Sequence, residues 1–164
     1  MQGYANRISS SISDIYTGTG ESVNFRTETN ITVASSENKI KNSDHKFVIG
    51  DQGKLPGSKG KDLVGGNTKM GEKTINIAQN ILDRGEAKDD DDHAGTGLTP
   101  AGQASLEMTA GHEFGHSATL NHPKTGTLNK NIMHQATEAN AGKSITEEQV
   151  LKMEKAYKDG KMNK

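Results

Sequence analysis

Cysteine is absent from this chain, which removes disulfides, a thiolate nucleophile and cysteine-ligated zinc from consideration. Tryptophan is absent as well, and aromatic residues make up only 4% of the sequence. With 30% apolar residues and 19 glycines, the chain has material for one modest core and must place much of its length in loops or on the surface. A bound metal would supply part of the missing stability. Neither sign of charge dominates: 20 basic against 21 acidic residues leave a net charge of -1, with no basic stripe and no interleaved aromatics, so nucleic acid is a poor partner. No segment is long and apolar enough to insert into a membrane as a spanning helix. The first residues, Met1 to Arg7, lack the basic start and apolar run of a signal peptide. The chain is therefore expected to be secreted or delivered by a non-classical route, if exported, and it also fits a domain cut from a larger protein. Its 164 residues fit a single domain over 1–164.

Hydrophobic spacing predicts the elements. Tyr4, Ile8, Ile12, Ile15 and Tyr16 form the apolar stripe of a first helix, with serines between them. Val23, Phe25, Thr27, Thr29, Ile31 and Val33 alternate as a β-rich region, and Phe47 to Ile49 is a short strand. A turn at Gly50–Gly53 opens a glycine- and lysine-rich connection, and residues 50–73 are a candidate for a poorly ordered loop. Thr74 to Ala78 alternates like a half-buried strand and is a candidate substrate-side edge. Thr99 and Pro100 supply a cap and a first-turn proline for a helix running to about Leu120, with glycines at 102, 111 and 115 that close backbone packing would justify. Thr146 and Gln149 form a capping box for a last helix, whose apolar face of Val150, Met153, Ala156 and Tyr157 is expected to buttress the preceding one.

The sequence His112-Glu113-Phe114-Gly115-His116 carries the chemistry. Four residues apart on a helix, His112 and His116 stack on one face, where two neutral imidazoles can hold one Zn²⁺. Glu113 points toward the same side and can accept a proton from a water activated by the metal without ligating it.

Taken with His122 and with Ile132-Met133-His134, this stretch resembles the metzincin zinc peptidases, whose pattern is H-E-x-x-H-x-x-G-x-x-H followed by a methionine-containing turn. The resemblance is confined mainly to residues 99–157 and implies an α+β fold: a metzincin-like zincin with a small mixed sheet, an active-site helix and a C-terminal buttressing helix. It implies His112, His116 and His122 as zinc ligands, Glu113 as general base and Met133 as a hydrophobic floor beneath the histidines. It further implies a zinc-dependent endopeptidase acting on an extended protein or peptide substrate, which would lie along the strand Ile75, Asn76, Ile77 and Ala78. Gln135 stands where astacin-like members have a tyrosine ligand. Thr119 stands where the family has the glycine at which the chain leaves the helix, and nearby Asn121 tolerates left-handed geometry. If His122 does not ligate, His134 or Glu138 is the substitute. The chain also resembles metallopeptidase toxin domains of bacterial polymorphic, RHS-type proteins, which implies an inhibitor or immunity partner. The oligomeric state is open.

Two alternatives stand beside this reading: a zinc-stabilised binding or structural module without catalysis, and a toxin-like metal hydrolase acting on a non-peptide substrate. Asp89 to Asp92 read as a solvated loop or as an accessory Ca²⁺ site without EF-hand spacing. His45, His93 and His134 read as polar surface residues. The glycine clusters at 18–20 and 65–66 complete no nucleotide fingerprint, and no nucleophile-elbow serine is present.

Overall fold

The computed structural model describes residues 1–19, 24–60, 63–124, 130–135 and 141–162. Helix α1 (Gln2–Ile15) buries Ala5, Ile8, Ile12 and Ile15 on one face, as their three- and four-residue spacing requires, and ends on the wholly buried Tyr16. Its serines have a separate task. The Ser9 hydroxyl donates to the Thr29 carbonyl at 3.0 Å, and the Thr29 hydroxyl returns a bond to the Ser9 carbonyl at 2.9 Å. These side-chain bonds replace the β ladder expected over 23–33. Among the described residues, pairing there joins β1 (Gly18–Thr19) with β2 (Asn24–Phe25), antiparallel, and residues 26–36 run without regular structure. Val23 lies outside the described residues.

The main sheet has the order β3 (Lys46–Gly50), β5 (Thr74–Ala78), β4 (Gly66–Asn67). β5 runs parallel to β3, from Lys46↔Thr74 to Gly50↔Ala78, and antiparallel to β4 through Gly66↔Ile77 and Asn67↔Asn76. The expectation that Ile75, Asn76, Ile77 and Ala78 form an exposed substrate-side edge is thereby corrected. β5 is the central strand, both of its ladders are engaged, and Ile75, Ile77 and Ala78 are fully buried. Asn76 also commits its side-chain amide, to the Asn67 carbonyl at 3.0 Å. Between β3 and β4 the connection contains a 3₁₀ turn, Gln52–Lys54, capped by the Asp51 carboxylate, and then the buried Leu55.

Helix α2 (Leu106–Ser117) begins later than Thr99 and Pro100 predict. Gly102, at φ 69°, closes a turn by donating its N–H to the Thr99 carbonyl at 2.9 Å. Ser105 becomes the N-cap, its hydroxyl accepting from the Met108 N–H at 3.1 Å. α1 is the helix packed against α2. The Arg7 guanidinium grips both oxygens of Glu107 in the first turn of α2, at 2.6 and 3.0 Å, and also donates to the Leu82 and Arg84 carbonyls. Further along, the Tyr16 hydroxyl donates to the Gly111 carbonyl at 2.7 Å, and its ring meets Phe114 edge-on with centroids 5.3 Å apart.

This closeness explains the glycines inside α2. A Cβ on Gly111 would lie 2.5 Å from Ile15 Cδ1, and one on Gly115 would overlap Met133 Sδ and sit 2.7 Å from the Tyr16 hydroxyl. Each glycine forgoes about 1 kcal/mol of helix propensity, and the close packing beneath α2 offsets it.

Helix α3 (Glu147–Lys158) has both bonds of the expected capping box and buries Val150, Met153 and Ala156, leaving Tyr157 exposed. Its expected role as the buttress of α2 is corrected. α1 fills that role, while α3 is joined to the segment 131–133 through an amide pair between Gln149 and Asn131. The result is a small mixed α+β domain with three α-helices and a three-stranded open sheet among the described residues.

Gly115→Ala should destabilise the fold by about 1–3 kcal/mol, because overpacking against Met133 and Tyr16 outweighs the gain in helix propensity. Gly3→Ala, in α1 with nothing within 4 Å of the added Cβ, should be neutral or slightly stabilising. Urea denaturation of the two variants checks the contrast.

Candidate metal centre

The three-histidine site begins with how α2 ends. Thr119 N–H donates to the His116 carbonyl at 3.0 Å and Leu120 N–H to the Gly115 carbonyl at 2.8 Å, a closure that requires a left-handed residue between helix and exit. Thr119 is that residue, at φ 72°. A β-branched side chain is strained there, by about 1–3 kcal/mol. The bend thus falls on Thr119 itself, not on Asn121 as its tolerance for such geometry would predict.

The bend returns His122 to α2. The Nε2 atoms of His112 and His116 are 3.1 Å apart, and His122 Nε2 lies 3.0 Å from each. His112 Nδ1 faces the Ile132 carbonyl at 2.8 Å, and His116 Nδ1 faces the Leu120 carbonyl at 2.9 Å. A carbonyl only accepts, so both Nδ1 atoms carry the proton and both Nε2 atoms offer a lone pair to the shared point. Three imidazole nitrogens this close suit one divalent ion such as Zn²⁺. His112 and His116 are half-buried and His122 is exposed, so the cluster opens to solvent on the His122 side.

Burial also prepares the donors. It lowers the His112 pKa to about 4, helped by the neighbouring His116 and opposed by the Ile132 carbonyl, and it lowers that of His116 against the pull of the Leu120 carbonyl. Neither ring must shed a proton to bind metal at neutral pH.

Glu113, the residue after His112, is 7% exposed, and burial raises its pKa to about 7 against the opposing influence of Thr68. Neither Glu113 Oε2 nor Thr68 Oγ1 reaches hydrogen-bonding geometry with a described protein atom. Gly66 of β4 closes over the side chain: a Cβ there would lie 2.7 Å from Glu113 Cγ. Gly66, Thr68 and the carbonyls of Leu120 and Ile132 belong to the site and were missed from sequence. The Gly65–Gly66 pair was the available signal, since an edge strand that must admit a carboxyl side chain needs glycine there. The turn after β4 is also fixed to α2, with Gly71 N–H on the His116 carbonyl at 2.9 Å and the Ser117 hydroxyl on the Glu72 carbonyl at 2.7 Å.

The remaining candidates fall elsewhere. Met133 is wholly buried against Gly115, on the side of α2 from which Tyr16 also approaches. His134, expected at the surface, is wholly buried because it follows Met133 into the core, with its N–H on the Asn131 carbonyl at 3.2 Å. It is not part of the metal-capable cluster, which among the described residues comprises His112, His116 and His122. Asp89 to Asp92 form no such cluster, and Asp91 instead accepts from the Lys88 N–H at 2.8 Å. His93 packs near Gly102, and Glu138 lies outside the described residues.

Thr119→Gly should stabilise the metal-free protein by about 1 kcal/mol, the relief of left-handed strain exceeding the entropy that glycine adds to the unfolded chain. A higher denaturant midpoint is the readout. Acid stability separates the buried groups. His112, with its folded pKa below the unfolded value, contributes stability that is complete above about 6.5 and is lost as pH falls through about 4. Glu113, with its folded pKa raised, contributes stability that is complete below about 4.5 and is lost as pH rises through about 7. The two slopes oppose each other over the same window, each worth about 3 kcal/mol. Metal-free Glu113→Gln should therefore lose stability steeply between pH 6.5 and 4, and the unaltered chain much less, by denaturation at stepped pH.

No family model matches the chain, and neither the curated proteins nor the solved structures include a match. What the molecule itself presents is a three-histidine cluster able to coordinate a divalent metal ion, set in a small mixed α+β domain.

Proposed function

We propose that the chain is a zinc-dependent endopeptidase, with His112, His116 and His122 holding the metal and Glu113 as general base. The observation that carries this reading is the pairing of a three-nitrogen cluster with a buried carboxyl one residue from a ligand. Structural zinc sites close with four protein ligands, whereas hydrolytic ones use three and leave a position open. Among the described residues no fourth histidine, cysteine or carboxylate joins the cluster, and the exposed His122 leaves it accessible.

Zinc held there would lower the pKa of water and polarise a scissile carbonyl. Glu113 takes the proton from the attacking water and delivers it to the leaving amine nitrogen. In the metal-free chain burial raises the proton affinity of this carboxyl, which suits a group that is to act as a base. Met133, packed under Gly115, serves as the floor that keeps α2 in place below the ligands. For the extended substrate, β4 takes the part first expected of β5. It is an edge strand, and its Gly66 touches Glu113.

The second reading, a zinc-stabilised binding or structural module, requires nothing beyond the triad. The geometry favouring it is that His122 ties the segment after Thr119 back to α2, so that a bound ion would cross-link the two. One experiment separates the readings. Zinc content and cleavage of a quenched peptide library and of an unfolded protein substrate are measured for the unaltered chain and for Glu113→Gln. The peptidase reading expects one zinc per chain in both and a loss of turnover of about 10²–10⁴-fold in the variant. Undiminished turnover in Glu113→Gln would remove Glu113 from its role, and stoichiometric zinc with no cleavage by the unaltered chain would overturn the peptidase reading and favour the module.

A further inference from the structure

Asn131 and Gln149 stand 18 residues apart and meet through both of their side-chain amides: Asn131 Nδ2 donates to Gln149 Oε1 at 2.8 Å, and Gln149 Nε2 donates to Asn131 Oδ1 at 3.1 Å. Each amide oxygen accepts a second bond, from a backbone N–H. Thr146 N–H donates to Gln149 Oε1 at 2.9 Å, and Met133 N–H donates to Asn131 Oδ1 at 3.0 Å. Because a backbone N–H can only donate, these two bonds fix which way round both amides point. Rotating either one would set two donors or two acceptors face to face in a site where Asn131 is 1% exposed.

This pair sits at the foot of a metal ligand. Asn131 shapes the turn that presents the Ile132 carbonyl to His112 Nδ1 at 2.8 Å, and that carbonyl fixes the tautomer and rotation of the ring. The rest of the turn is clamped from the other side. Ile132 N–H donates to the Ser144 carbonyl and Ser144 N–H to the Lys130 carbonyl, both at 2.8 Å. Gly142 lies so close that a Cβ there would be 2.5 Å from the Lys130 carbonyl oxygen. Capping α3 needs only an acceptor at Gln149, which glutamate would provide equally well. The amide nitrogen is surplus to the cap and donates to Asn131 Oδ1.

We infer that Gln149 and Asn131 are positioning residues for the metal centre, aiming His112 through the Ile132 carbonyl. The inference rests on the metal-binding reading above, and not on peptidase activity. Gln149→Glu keeps the size and the cap and exchanges only the donor for an acceptor facing Asn131 Oδ1. Asn131→Asp makes the reciprocal exchange. Thr146→Ala serves as the control, weakening the cap of α3 while leaving the amide pair in place.

Zinc affinity by chelator competition, the absorption spectrum of the Co²⁺-loaded chain and the melting temperature of the metal-free chain are measured for all four proteins. Gln149→Glu, and Asn131→Asp independently of it, should weaken zinc binding by about tenfold and alter the Co²⁺ spectrum. Thr146→Ala should lower the melting temperature with affinity and spectrum unchanged. Unaltered affinity and spectrum in both amide variants would overturn the inference alone, as would affinity that follows melting temperature across all three variants. Failure of the unaltered chain to bind zinc or cobalt would overturn the metal reading and this inference together.

Discussion

The left-handed bend at Thr119 is the constraint on which the site depends. Two histidines on one helical turn give at most two donors, and a third must come from chain that has left the helix and doubled back within a few residues. The hydrogen bonds from Thr119 and Leu120 to the His116 and Gly115 carbonyls enforce that reversal. They do so with a β-branched residue at φ 72°, a geometry disfavoured in isolation and held by what surrounds it. The same turn brings the Leu120 carbonyl to His116 Nδ1, so one local event positions the third imidazole and orients the second.

Below the three histidines, α2 is held at several points along its length. Arg7 fixes its first turn, Tyr16 its middle, and Met133 its last turns through the gap at Gly115. On the other side of the helix Gly66 of β4 closes over Glu113, and burial drives that carboxyl toward its protonated form, while burial of His112 lowers its pKa and keeps the imidazole neutral. Packing and electrostatics are here one effect: the glycine that lets β4 approach α2 also buries the carboxyl whose protonation that burial favours.

The elements whose signals are local were legible in the sequence. The stripe of α1, the strands around Phe47–Ile49 and Thr74–Ala78, and the Thr146–Gln149 cap all depend on residues within a few positions of one another. Other expectations failed where more than the local pattern decided. The β-rich run after Val23 pairs only at Asn24–Phe25 among the described residues and beyond it meets serines of α1. α2 begins at Leu106, capped by Ser105, after the turn that Gly102 closes on the Thr99 carbonyl. The alternating strand Thr74–Ala78 went to the middle of the sheet because β3 and β4 took both of its sides.

By itself the sequence determined that His112 and His116 share one helical face, since the 3.6-residue period places residues four apart together whatever the fold around them. It also placed a third histidine within reach. Only the tertiary structure decided that His122 arrives there, that Gly66 of β4 lies against Glu113, and that the Ile132 carbonyl aims His112. Those outcomes turn on a strained dihedral, a strand order and a contact across twenty residues. Each is fixed by the balance of packing over the whole domain, which no short window of residues contains.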